Sequence, residues 1–266
     1  MTVESILDAE RQAHVDELEK AVTRWRREGG REPLSSEALP ALPAGDAVAG
    51  DLEWRLRRHD LAVVRSELAG LRSELAGPRA ELAGPRPLRI LDFGSWNGWL
   101  SHRLTTDGHQ VTAVDAFAGT WSLSAPWPTP PTWRRIQAEM TDLTRLGETF
   151  DVVIANRCLA FEPHPVTAVA TLRRLVGPAG RLIATGLLVY GDAEKARLRL
   201  AAEAAAFRTR FGVDLLLRPT RGVLDRGDIA DLAAAGLDIH ATPGLRLANI
   251  RARLDPLRPA HRYGVA

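Results

Sequence analysis

Two carboxylates and the glycine turn between them are the residues of this chain best placed for chemistry. Asp92 lies in the short apolar run Ile90-Leu91-Asp92-Phe93, and Asp115 ends a second run, His109 to Asp115, in which Val111 and Val114 are apolar. Between them Gly94-Ser95-Trp96-Asn97-Gly98 reads as a turn, followed by Trp99, Leu100 and Leu104 at helical spacing. Strand, glycine turn, helix, strand is the opening of a doubly wound nucleotide-binding sheet. In such a unit the amides of the turn and helix start, Gly94 to Trp99, can receive an anionic group. An acid at the second strand end can accept two hydrogen bonds from ribose hydroxyls. The competing reading of each acid is a strand-end carboxylate that caps a neighbouring helix.

The turn excludes two nucleotide classes. A dinucleotide fold needs G-x-G-x-x-G, because its second glycine lets backbone approach the pyrophosphate. Counted from Gly94, the later glycine positions hold Trp96 and Trp99. A P-loop needs Lys-Ser or Lys-Thr after its glycines, and both lysines, Lys20 and Lys195, precede alanine. What remains is D-x-G-x-x-x-G with an acid at Asp115.

The elements that must position these groups follow from periodicity. Thr2 to Arg27 carries Ile6, Leu7, Val15, Leu18, Val22 and Trp25 at helical spacing, which predicts an amphipathic helix capping the main domain or pairing with a second copy. Residues Glu28 to Asp51 read as a linker. A second helix is expected over Leu52 to Leu75. It runs into a tandem seven-residue repeat: Ser66 to Arg72, Ser73 to Arg79 and Ala80 to Arg86. Pro78 and Pro85 argue against a coiled coil, so the repeat reads as a duplicated linker without chemistry. Five of the 7 tryptophans lie from Trp96 to Trp133. The Pro- and Gly-rich stretch Ala116 to Trp133 is therefore expected to be a loop, held by its own aromatics or serving as a lid. Further strands are expected at Arg134–Glu139, Phe150–Asn156, Arg181–Thr185, Leu237–Thr242 and Leu245–Ala252, with helices at Val166–Val176, Asp192–Phe211 and Arg226–Ala235. Alternation of this kind implies a parallel sheet covered on both faces.

Composition narrows the class. A chain of 266 residues with a 45% apolar fraction can bury a real core. A net charge of only +2 gives no basic face for nucleic acid. No apolar run is long enough to span a membrane, and no secretion leader is visible. A cytoplasmic protein without membrane or nucleic-acid partners is expected. One cysteine, Cys158, excludes an internal disulfide, and no His/Cys/carboxylate cluster has metal spacing.

The stretch from Asp92 to Asp115 resembles motif I of the class I S-adenosylmethionine (SAM) methyltransferases, in the variant that reads Gly94-Ser95-Trp96-Asn97-Gly98. Gln137 to Leu143 resembles the segment after that family's third strand, Phe150 to Leu159 its fourth strand, and Leu172 to Leu182 the turn into its fifth. Trp54-Arg55-Leu56-Arg57 and Phe207 to Gly212 resemble a bacterial small-molecule subgroup. The resemblance implies a doubly wound, mainly parallel seven-stranded sheet of α/β class, with a Rossmann-like SAM-binding domain over residues 88–266. It would be preceded by a helix and linker (1–50) and by the helix and repeat (51–87). It implies SAM as cofactor, S-adenosylhomocysteine (SAH) as product, no metal, and in-line transfer to a small-molecule or sugar-like acceptor. Cofactor residues would be Asp92, Gly94, Ser95, Trp96, Asn97, Gly98, Asp115, Ala116, Glu139, Met140 and Asn156. Glu139 would meet the adenine amine, and Asp92 would order the turn or meet the amino group. Trp96 would point away from the cofactor or stand as a wall near the sulfonium. Relatives often place a histidine where this chain has Phe161; His164 and Tyr190 are the candidate catalytic residues instead. The alternatives are a non-catalytic module of the same fold and an RNA methyltransferase.

Overall fold

The computed structural model describes residues 2–75, 86–220 and 222–266. Its centre is the unit the sequence predicts. Strand β2 (Arg89–Phe93) leads through the glycine turn into α3 (Trp99–Thr106) and then β3 (Gln110–Asp115). Gly98 takes a left-handed conformation, with φ 76°, at the helix N-cap, which is why glycine stands there.

The chain opens with β1 (Glu4–Ser5) and α1 (Ala9–Glu28), passes through α2 (Leu52–Leu75) and the β2–α3–β3 unit, and continues with β4 (Arg134–Gln137), β5 (Phe150–Asn156), α4 (Pro165–Arg173), β6 (Val176–Val189), α5 (Ala193–Phe211), α6 (Arg226–Ala234), β7 (Asp238–Ala241), α7 (Arg246–Leu254) and β8 (Ala260–Val265). The strands form one sheet of order β1-β4-β3-β2-β5-β6-β8-β7. All neighbours are parallel except β8, which runs antiparallel to β6 and β7. The chain leaves β2 toward one edge and then crosses back to β5, so the order reverses beside β2. In such sheets ligands bind beyond the carboxyl ends of the strands at that reversal.

Alternate residues of each central strand feed two cores. Ile90, Val111, Val152 and Ile154 pack beneath α2 and α3 with Leu61, Val64, Leu68, Leu71 and Leu100. Leu91, Phe93, Val114 and Val153 face the other layer, with Val169, Leu172 and Leu232.

Several expectations are corrected. The sheet has eight strands among the described residues, one more than expected. The first helix begins at Ala9, capped by Asp8, whose side chain accepts the Arg11 N–H. Residues 4–5 pair with Ile136 and Gln137 instead, because the outer edge of β4 offers backbone groups that need partners. In α1, Val15 and Leu18 are buried within the chain itself. The linker after α1 is not featureless: two short 3-10 turns, Leu39–Ala41 and Asp46–Val48, bury Leu39, Leu42 and Val48. The second helix spans Leu52–Leu75 as expected and holds the first repeat copy, so the linker reading of the repeat fails for that copy. Leu68 and Leu71 lie in α2 and are buried, and Ser73 to Leu75 extend the same helix; the rest of the repeat up to Gly84 and Pro85 lies outside the described residues. Gly177–Gly180 belongs to a long β6, with a register shift between Phe150 and Val152. The run expected as the last strand, Leu245–Ala252, is the helix α7, and β8 closes the sheet in its place. An isolated apolar alternation does not separate the two states; the pairing available between β6 and β7 decides for the later segment.

Candidate functional site

A cavity of about 560 Å³ opens beyond the carboxyl ends of β2 to β5. Its floor is Phe93 and Gly94 after β2, Asp115 to Phe117 after β3, Ala138 to Met140 after β4, and Asn156 to Cys158 at the end of β5. Its volume is of the size that takes a drug-sized ligand.

The floor is closely built. Gly94 has φ +71°, and a Cβ on it would stand 2.7 Å from the Cβ of Cys158. Only glycine lets the chain turn that close to the end of β5. Trp96 also has a positive φ, 51°, a conformation uncommon for a bulky residue. Its N–H donates to Asp115 Oδ2 at 2.8 Å, and the Phe117 N–H donates to Oδ1 at 2.9 Å. Each Asp115 oxygen thus keeps a lone pair beyond its backbone bond. Burial pushes the carboxyl up to about 6, against the pull of those two bonds. Asn156 lines the cavity, and its Nδ2 donates to Thr185 Oγ1 at 2.7 Å.

At one end of the floor stands an acid cluster. Glu139 is ion-paired with Arg218, and a second nitrogen of Arg218 lies 3.8 Å from Glu162. Burial raises Glu162 to about 7 and pushes the Cys158 thiol well up. At the other end stands Arg57, on α2. It is buried, pairs with Glu53 at 2.6 Å, and lies 4.9 Å from the Trp96 ring and 5.1 Å from the Trp54 ring. Its Nε has no partner among the described residues. Burial pulls its pKa down, so a counter-charge there stabilises it. Arg157, with φ 58°, pairs with the buried Asp60 at 3.0 Å. The roof is α1, through Val22, Trp25 and Arg26, with the segment Leu215 to Arg218 beside it.

Of the residues expected at the cofactor, Gly94, Trp96, Asp115, Ala116, Glu139, Met140 and Asn156 line this one cavity. The others do not. Asp92 is fully buried and accepts the Ser101 Oγ–H at 2.6 Å; burial raises it to about 7. It orders the helix after the turn. Ser95 is buried, Asn97 faces a neighbouring cavity, and Gly98 lies against the Trp133 indole. Five of the six amides from Gly94 to Trp99 are already engaged. Gly94 and Ser95 donate to Val114 O, Trp96 to Asp115, Gly98 to Ser95 O, and Trp99 to Asn97 Oδ1. His164, just before α4, and Tyr190, whose N–H donates to Leu224 O beyond β6, stand outside the cavity wall. The cation beside the Trp96 indole within the chain is Arg57.

Sequence reasoning missed Trp25, Arg26, Arg218 and the cavity role of Arg57. Only Arg57 carried a signal, as part of Trp54-Arg55-Leu56-Arg57. The others arrive from segments distant in the chain from the floor they face, and no local pattern marks them as site residues.

A doubly wound sheet with an acid at the end of its second central strand and a glycine turn over its first defines the class of Rossmann-like, SAM-dependent methyltransferases. The chain belongs to the methyltransferase-domain family, whose sequence profile matches residues 56–212. Among solved structures it is similar to the plantazolicin methyltransferase BamL in complex with a triazolic desmethylPZN analog and SAH, at 14% identity over 96% of both chains, TM-score 0.50. It is also similar to the Burkholderia thailandensis 1,6-didemethyltoxoflavin-N1-methyltransferase, at 17% identity over 100% of this chain and 92% of the other, TM-score 0.49. A third is the magnesium protoporphyrin IX methyltransferase of Synechocystis PCC 6803 with bound SAM, at 16% identity over 98% of both chains, TM-score 0.48. At these identities the likeness is one of fold. No curated protein matches the sequence. Among the described residues no group of His, Cys, Asp or Glu could hold a metal ion, and no helix is long and apolar enough to cross a membrane.

Proposed function

We propose that the cofactor lies along the carboxyl ends of β2, β3 and β4, and that its methyl goes to a small-molecule acceptor. The observation that carries this reading is Asp115. Its carboxylate faces a cavity at the sheet reversal, held by two backbone N–H groups so that it can accept two ribose hydroxyls. Glu139 and Glu162 converge at the end where an exocyclic amine would be recognised, once Arg218 gives way. Arg57 supports a carboxylate at the opposite end. It takes the role expected of the turn amides, because all but one of those amides are engaged and its guanidinium has a free edge.

When bound, SAM supplies a methyl group on a positively charged sulfur. The chain's part is alignment and exclusion of water: a nucleophile held in line with the sulfur–methyl bond needs little acid-base chemistry. The side of the cavity under α1 and α5 is apolar, with Val22, Trp25, Phe161, Leu200 and Leu215. Such a lining favours an acceptor with a flat, apolar body over a sugar-like one. The 1–50 and 51–87 segments then act with residues 88–266 as one unit, since α1 and α2 furnish roof and wall.

The test is calorimetric titration with SAM and SAH. Asp115→Ala is expected to lose about 1.5–3 kcal/mol, the worth of hydrogen bonds to a charged group. Unchanged affinity in a folded variant sinks the assignment.

A further inference from the structure

We propose that a second cavity, behind Trp96, is the acceptor subsite and takes a flat aromatic ring bearing a carboxylate. This rests on the cofactor reading above and names the substrate class for it. The cavity has a volume of about 680 Å³ and adjoins the first: Arg26, Trp96 and Trp121 line both. A molecule seated across that junction has one end in the second cavity and the other beside the cofactor floor.

The walls select a ring. Trp54, Trp96 and Trp121 all face the space, joined by Leu34, Leu39 and Ala125. Trp54 and Trp96 are stacked with centroids 5.6 Å apart and planes 23° from parallel. Indole surfaces of this kind bind flat apolar bodies by offset stacking or edge contact.

The charges select an anion. Three carboxylates line the second cavity and each is engaged. Glu32 pairs with Arg27 at 3.4 Å, Glu53 with Arg57 at 2.6 Å, and Asp51 accepts the N–H of Glu53 at 2.7 Å at the start of α2. The arginines are not engaged in the same way. Among the described residues neither the Arg26 nor the Arg31 side chain has an ion-pair or hydrogen-bond partner, although the Arg31 N–H donates to the Arg26 carbonyl at 2.9 Å. Arg26 instead sits over the Trp121 ring, its guanidinium carbon 4.6 Å from the centroid, and its N–H groups have no partner in the chain. Glu19, the other acid near Arg26, is held by the Gly119 N–H at 2.7 Å. Burial, and then the like charge of Arg31, pull the Arg26 pKa down. The site therefore presents donors and positive charge that the chain itself does not answer. A planar carboxylate matches the planar guanidinium fork, two N–H groups to two oxygens.

The probes are 2-naphthoate and its neutral isostere 2-naphthamide, titrated into the full chain with and without SAH and followed by tryptophan fluorescence and calorimetry. Naphthoate is expected to bind about tenfold or more tightly than naphthamide. Arg31→Gln, at an exposed position that lines the second cavity alone, is expected to abolish most of that preference while SAH affinity stays within about twofold. Arg26→Gln should do the same to the preference. Equal affinity for the two probes, no naphthoate binding to the SAH-loaded chain, or an Arg31→Gln variant with the full preference overturns the proposal. Loss of SAH binding with the naphthoate preference intact instead overturns the cofactor reading, and with it the role as acceptor subsite, while the anion site stands.

Discussion

At the scale of single residues the site is governed by where carboxylates end up relative to water. Asp92 and Asp115 close neighbouring parallel strands, yet one is sealed under a helix and the other opens on a cavity. Asp115 is raised to about 6, and only its ionised form accepts on both oxygens. Ligand that needs the ionised form binds more weakly as pH falls below that value, approaching tenfold per unit. SAH affinity is therefore expected to rise from pH 5 to 7 and level off above. Asp115→Asn should flatten the profile, and a wild-type profile flat from pH 5 to 7 would contradict the assignment. Trp96 belongs to the same scale. Its indole stacks on Trp54 and carries Arg57, so it is a packing residue as much as a wall. Trp96→Gly relieves a positive φ but removes that stack. The expected result is a lower melting temperature with the relative affinity for SAM and SAH unchanged; a shift toward SAH would put the sulfonium back at the indole.

At the scale of elements the informative case is α2. A seven-residue repeat interrupted by prolines reads as linker, but its first copy is packed under the sheet. Leu71 is 2% exposed and Leu68 3%. Leu71→Ala is expected to cost about 2–5 kcal/mol, the range for a buried leucine truncated in a core. Urea unfolding measures it, and a loss under about 1 kcal/mol would restore the linker reading. Helix α1 is a different kind of element. Few of its side chains are buried: Val15, Leu18 and the edge contact of Trp25 with Phe207 anchor it, and polar contacts add to these, Glu19 to Gly119, Arg11 to Asp142 at 2.8 Å, and Glu28 to Arg210 at 2.8 Å. It lies over both cavities and so bears on what can enter them.

At the scale of the molecule the sheet is closed late. β7 pairs only with β8, and β8 is the segment that joins it to β6. The fit there is tight: a Cβ on Gly264 would lie 2.5 Å from Leu237 Cγ. Gly264→Val is expected to destabilise the fold by about 1–3 kcal/mol through overpacking. A melting temperature equal to the wild type's would mean that β8 gives way at little cost and is not a close-fitted part of the sheet.

The sequence by itself determined the centre of this protein. The glycine turn, the strand acids Asp92 and Asp115, and the β5 segment from Phe150 to Asn156 are each specified by residues within a few positions along the chain. Strand alternation and turn chemistry act over that range. Tertiary structure alone decided the rest. It sealed Asp92 beneath Ser101 while leaving Asp115 open, although the register puts both on one face of the sheet; the difference is set by position, Asp92 lying within β2 under α3 and Asp115 at the carboxyl end of β3. It turned the run after Leu245 into helix, because the place beside β6 and β7 went to a later segment. It brought Arg26, Arg57 and Arg218 to one cavity from three distant parts of the chain. Burial and charge pairing are sums over neighbours that only the closed fold supplies, so neither the raised carboxyls nor the unanswered arginines could be read from spacing.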